Sequence, residues 1–373
     1  MYYPDQTYLG APWSNWGDGL AVGDKYYSTI GDHRSPRGAG LLYEYDATST
    51  TLRLLVNLRR FLESSGALAP DENYTPGKIH CRMDMGSDGW LYYGGHRGSP
   101  RTTTDQNGFR GDWIFRTNPK TVKTEIVAVH PVPKHVIPMS VLDPRRMIFY
   151  GGTAPGKDAV AQDVQFFAYD IEKRKVLLTA NGGPERYAIF AKSTGCLYWD
   201  GKKYNPQTNK ISSSAAPRVR SATQETPQGI VYGTSERNAD IWAFDVKTEA
   251  LTQLGSGAVG SQQYTTTIDA DPTGRYLYYV PGAHGGSERD GTAVVQFDVK
   301  TKRKKVIAFL YPFYRETYGY TPIGTFGTAV SPKGDRLYVT WNGSRAEPDK
   351  KGRFLFDTCA LAVIHIPESE RMP

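Results

Sequence analysis

Residues 76–101 read PGKIHCRMDMGSDGWLYYGGHRGSPR, and this stretch decides the fold because its layout recurs along the chain. A short run ends in a turn at 85–89, an aromatic strand follows at 90–93, and a glycine-rich loop then carries His96. The loop leads into another strand at 113–117, closed by Asn118-Pro119. The same turn and aromatic strand return as GDKYYS (23–28), DPRRMIFYGG (143–152), STGCLYWDG (193–201), TPQGIVYG (226–233), DPTGRYLYYV (271–280) and SPKGDRLYVTW (331–341). With the opening stretch there are seven copies.

A second echo follows each copy: LLYEYDATSTTLRLL, WIFRTNPKTVKTEIV, FFAYDIEKRKVLL, KKYNPQTNKI, IWAFDVKTEALTQL, VVQFDVKTKRKKVI and CALAVIHI, the last without its turn and fourth strand. Alternating apolar positions broken by Asp or Asn turns read as strands. A four-stranded unit repeated every few tens of residues is the mark of a propeller. The expectation is therefore an all-β, seven-bladed β-propeller, one domain over 1–373. The blades fall near 11–58, 76–131, 132–182, 183–214, 215–255, 260–310 and 320–373. Residues near the N-terminus are expected to supply the strand that blade seven lacks, since this removes two exposed edges. Between blades one and two, 59–77 reads as one helical turn and a loop. The aromatic stretch YPFYRETYGYTP (311–322) reads as a connection overhanging one end of a central channel.

Composition bounds the function. No run of about 18 apolar residues is present, so no membrane partner is expected. The opening MYYPDQTYLG lacks a basic and an apolar signal region. The expectation is a cytoplasmic protein, or a periplasmic or extracellular one whose signal has been removed. The odd set Cys81, Cys196 and Cys359 reads as buried thiols without a disulfide framework. A net charge of +7 favours an acidic partner, yet no nucleic-acid motif accompanies it, and the run 301–305 reads as solvated surface. The 25 Tyr and 7 Trp suit strands and also suit stacking on sugars.

Counting back nine residues from each turn compares one position on the innermost strands. The count reaches Ser14, His80, Arg186, Arg220, Thr265 and Thr325, and in blade three Ile137, with His135 beside it. Inner strands of a propeller face its axis, so His80, Arg186 and Arg220 would point into one funnel, with His96 at its rim. Buried charge is costly unless paired. Cations with few acids on the same rung therefore suit an anion, whereas pairing with Asp84, Asp240 or Glu185 would leave them structural. His33 and His284 read as surface-loop residues.

The segments KIH (78–80) and YYGGHRG (92–98) resemble the paired-histidine signature of propeller polysaccharide lyases, the ulvan lyases and rhamnosyl-glucuronate lyases. The resemblance implies β-elimination at a uronic acid, with an arginine on the carboxylate and histidine or tyrosine groups as base and acid. It implies catalytic roles for His80, His96, Tyr150 and Arg186, and substrate contacts from Arg220, Arg97, Tyr187 and Tyr318. A neutral histidine suits proton transfer near pH 7, and a guanidinium suits the enolate-like charge. The family's arginine after the tyrosine is missing, since Phe166, Phe167 and Ala168 stand there. Either Arg186 or Arg220 takes its role, or the chain is a non-catalytic propeller that binds an anionic glycan or a protein. No required cofactor is expected, although a structural ion such as calcium is compatible. The partner is an acidic oligo- or polysaccharide, with no nucleic acid, and the chain is expected to be a monomer. No two carboxylates share a rung, which disfavours glycoside hydrolysis, and no acidic and amide cluster suits a metal-dependent lactonase.

Overall fold

Two left-handed backbone positions, one in each of the seven repeats and a second in six of them, set the course of the chain. The computed structural model describes residues 1–6, 13–32, 37–160, 162–236 and 238–371. Gly23, Gly89, Met147, Gly195, Gly229, Gly274 and Gly334 occupy the first of these positions, with φ of 50–79°, in the hairpin turns of the seven copies. The second lies four residues beyond the Asp or Asn that ends a third strand. Thr50, Val122, Arg174, Asn209, Glu249 and Lys302 follow Asp46, Asn118, Asp170, Asn205, Asp245 and Asp298, all with φ of 50–58°. In each of these turns the Asp or Asn side chain accepts a backbone N–H two or three residues on, at 2.8–2.9 Å. This Asx turn reverses the chain within a short span, which is why the acid or amide recurs where glycine does not.

The strands form seven antiparallel sheets in chain order, the blades of a seven-bladed β-propeller. In blade two, Asp84–Met85, Leu91–Gly94, Trp113–Asn118 and Lys123–Val129 pair successively. In blade three the order is His135–Asp143, Ile148–Pro155, Gln165–Asp170 and Lys175–Asn181. Because the blade-three turn centres on Met147, the count of nine reaches Pro138 and not Ile137. Ile137 lies in the apolar core instead, packed with Tyr92, Phe149 and Phe167. The segment after blade one makes a helix over Leu58–Ser65, longer than the single turn expected, capped by the Asn57 side chain on the Arg60 N–H.

The chain divides into two compact units. One, drawn from Pro4–Leu20 and Tyr27–Arg186, holds blades two and three and most of blade one. The other takes Met1–Tyr3, Ala21–Tyr26 and the residues from Tyr187 onward. Within this second unit the last sheet has three strands, Thr321–Val330, Arg336–Ser344 and Thr358–His365. Tyr2 forms an antiparallel bridge with Ala360 along its outer edge. The Leu361 N–H donates to the Met1 carbonyl at 2.7 Å and the Tyr3 N–H to that of Cys359 at 3.4 Å, so the edge is covered there. Also within it, the ring of Tyr26 stacks on Tyr338 at 4.9 Å. The three cysteines are buried thiols, none of them in a disulfide among the described residues. No helix among the described residues is long and apolar enough to cross a membrane.

Val122 is a β-branched residue held at φ 57° and 41% exposed. The left-handed region costs such a side chain about 1–2 kcal/mol, so Val122→Gly is expected to raise stability by about 1 kcal/mol. The midpoint of denaturant unfolding at unchanged m-value measures it.

Candidate anion site with a histidine pair

Close approach of backbones builds the site. A Cβ on Gly77 would come within 2.5 Å of the Gly98 Cα, and one on Gly31 within 2.2 Å of the Gly77 carbonyl oxygen, so only glycine fits either place. That contact lets the next residues meet. Lys78 and His96 exchange both backbone hydrogen bonds, each 3.0 Å, as a single antiparallel bridge. Side chains alternate along an extended chain, so Lys78 and His80 share one direction while Ile79 goes into the core at 1% exposure.

The rings of His80 and His96 lie 5.0 Å apart, edge to face. The His80 Nδ1 is 2.9 Å from the Pro138 carbonyl oxygen, on the equivalent rung of blade three. A carbonyl only accepts, so Nδ1 carries a proton, and in the neutral form of the ring Nε2 carries the lone pair. His96 is buried, not set out on an exposed rim, and among the described residues its Nδ1 has no hydrogen-bond partner. Burial first, and then the charges of His80, Lys78, Arg97 and Arg186, hold His96 well below the usual histidine range.

Lys78 is buried and carries its ammonium 4.5 Å from the centre of the Trp16 ring. Burial, with Arg97 and Arg186 nearby, pushes its pKa down to about 7. Among the described residues, none of Lys78, Arg97 and Arg186 has a carboxylate in ion-pair contact. Arg97 donates to the Pro155 carbonyl oxygen at 2.7 Å. The carboxyl beside it is Asp112, fully buried, bonded by the Tyr74 hydroxyl at 2.9 Å and pushed well above the usual carboxylate range by burial. A carboxyl held in that direction tends toward its neutral form and offsets little positive charge. Asp84 is committed elsewhere: Arg82 bonds it at 2.8 Å and the Leu142 N–H at 2.9 Å. Arg186 is exposed, and its charge acts on Lys78, His96 and Arg97. The result is a cationic cluster with a neutral imidazole in its midst and room for an anion in its charge balance.

The other expected site residues have the following surroundings. Tyr150 is fully buried beside Phe166. His135 has both ring nitrogens on carbonyls, Pro133 at 2.8 Å and Asp163 at 3.3 Å. In the second unit, Tyr187 is buried with Ile189 and Tyr198, and Tyr318 is 59% exposed on the helix Phe313–Tyr318. Arg220 lies in that unit too, its Nε donating to the Tyr264 hydroxyl at 2.5 Å and its guanidinium over the Tyr264 and Phe326 rings. The exposed His284 stacks on Tyr264 at 5.3 Å. His33 lies outside the described residues. Lys78 and Trp16 were not singled out from sequence. The spacing of Lys78 two before His80 was the available signal, whereas nothing near Trp16 pointed to the site.

No protein-family model matches the sequence, and no curated protein matches it. Among solved structures the chain is similar to an oligogalacturonate lyase from Vibrio parahaemolyticus, at 9% identity over 96% of this chain and 91% of that one, TM-score 0.55. It is similar to an oligogalacturonate lyase in complex with manganese, at 13% identity over 97% and 98%, TM-score 0.52. U3-55K is a third, at 9% identity over 94% and 96%, TM-score 0.52. Identities this low speak to the propeller fold alone.

The depressed Lys78 pKa has a thermodynamic consequence. Between pH of about 7 and 10.5 the unfolded chain holds a proton that the folded lysine has released. Stability therefore rises with pH across that window, and the folded state bears the full penalty below it. Lys78→Met is expected to raise the unfolding midpoint at pH 7 by the equivalent of a few kcal/mol, at about 1.4 kcal/mol per pH unit. It also removes this part of the slope, as thermal unfolding of both proteins from pH 6 to pH 10 would show.

Proposed function

We propose that the chain is a lyase that cleaves a uronic-acid-containing oligo- or polysaccharide by β-elimination. The observation that carries this reading is the His80–His96 pair, 5.0 Å apart, set among three cations that lack a carboxylate partner among the described residues. Arg97 and Arg186 would hold the substrate carboxylate and stabilise the negative charge that grows on it as C5 loses its proton. His80 Nε2 accepts that proton, the C5–H electron pair becomes the C4–C5 double bond, and the C4–O4 bond breaks. The Lys78 ammonium gives its proton to the departing O4, so the reaction consumes no water. His96, itself held neutral by burial, packs against His80 and keeps that ring in place. Two of the structural neighbours are oligogalacturonate lyases, and a uronate substrate for this chain is consistent with that likeness in fold.

Expected outcomes follow from those roles. His80→Ala should lower kcat by 10²–10⁴-fold, the ordinary range for a general base, with formation of the unsaturated uronate followed by its ultraviolet absorbance. Arg186→Ala should weaken kcat and KM together, since it contacts the carboxylate in the ground state and more strongly in the transition state. In the free enzyme Lys78 must be protonated, so kcat/KM should fall as pH rises through about 7. The kcat should persist to higher pH, because a bound carboxylate raises the pKa of Lys78. Glycan binding without any unsaturated product from the wild type would overturn the enzyme reading and leave a binding module.

Among the described residues no group of three His, Cys, Asp or Glu side chains could hold a metal ion. Neutralisation of the carboxylate is assigned to the cationic side chains Arg97 and Arg186, and dialysis against a chelator is expected to leave the rate unchanged. A rate restored only by added divalent cation would contradict that assignment.

A further inference from the structure

We infer that a tyrosine-lined pocket beside blade seven is an additional glycan site, binding a pyranose residue of an acidic polysaccharide. It rests on the reading above only for the class of ligand. Within the stretch 311–322 the chain folds into the helix Phe313–Tyr318, ending at Gly319 with φ 61°. Tyr2, Tyr314, Tyr318 and Tyr320 line a cavity of about 320 Å³ with the strand residues 360–363, all in the same unit. That volume is at the small end for ligand pockets and suits one or two sugar rings.

The chemistry of the walls selects the ligand. Among the described residues no charged side chain lines the cavity. Tyr318 is 59% and Tyr2 39% exposed, so both rings are open to a ligand. Each is braced edge-on by another tyrosine, Tyr318 by Tyr314 at 5.4 Å and Tyr2 by Tyr320 at 5.6 Å, so little rotamer freedom remains to be lost on binding. Flat rings with hydroxyls at their margins match a pyranose, which presents C–H faces and a polar rim. The cavity's edge adds charge: the Arg345 guanidinium lies 5.0 Å from the Tyr2 ring centre, exposed and without a carboxylate partner among the described residues. Its backbone is held from below, since Arg315 donates to the carbonyls of Arg345 and Ala346 and pairs with Glu347. A rim cation over an open ring favours a carboxylated sugar over a neutral one.

The test is affinity electrophoresis of the full chain through gels containing a polyuronate or its methyl ester, with Tyr318→Ala and Arg345→Gln beside the wild type. Both substitutions are at exposed side chains, and unfolding midpoints confirm that the variants are folded. Tyr318→Ala should lose roughly fivefold to tenfold in affinity for either polymer, the measure of one aromatic contact. Arg345→Gln should weaken retention by the polyuronate and leave that by the ester unchanged. Migration of both variants like the wild type in every gel overturns the proposal. Its fate is separate from that of the lyase reading: loss of retention in Tyr318→Ala with no unsaturated product from the wild type keeps the pocket and removes the lyase. Unsaturated product with wild-type retention in both variants does the reverse.

Discussion

The paired backbone hydrogen bonds between Lys78 and His96 are the constraint on which the candidate site depends. They form because Gly77 meets Gly98 at a distance that admits no Cβ, and Gly31 meets Gly77 in the same way. Any side chain at these glycines would push the two segments apart. With them in contact, Lys78 and His96 face each other, His80 follows two residues on, and Arg97 follows His96. Four polar side chains are thus placed by one bridge and two steric contacts, without needing a salt bridge to hold them.

That economy has a thermodynamic cost. Most of the ion pairs described elsewhere in the chain are half-solvated and worth little each, such as Arg116 with Glu125 or Lys305 with Glu370. Around His96 the pattern inverts, with buried or half-buried cations that face one another and a carboxyl that burial drives toward neutrality. A fold selected for stability alone would not keep a lysine in such surroundings. An arriving anion would relieve the repulsion, and that coupling is the physical content of a preorganised site. Trp16 supplies a face on which the lysine can keep its charge meanwhile.

The repeat tolerates such local strain because its geometry is set by turns. The Asx turn at six of the blades places the following residue in the left-handed region whether it is Thr, Val, Arg, Asn, Glu or Lys. The Asp or Asn side chain supplies the bond that defines the turn, so the strained position accepts many residues. Blade three shows the same latitude in its first hairpin, where Met147 stands at the position that glycine fills in the other copies.

The sequence by itself determined the number of blades, the hairpin turns and the pairing of His80 with His96, because turn residues and strand alternation are local and repeat seven times. It misplaced the blade-three rung by one residue, since without its turn glycine Met147 left no mark. It did not settle the burial of the site residues. Both faces of a blade strand are covered, as the unbroken burial from Ile148 to Thr153 shows, so alternation could not tell that Tyr150 is sealed in the core. Nor could it show that Asp84 is already committed to Arg82 or that Lys78 has no carboxylate partner among the described residues. Those facts belong to the tertiary structure, because burial and electrostatic partners depend on segments distant in the chain, and only their packing decides which charges are paired and which are left to meet a ligand.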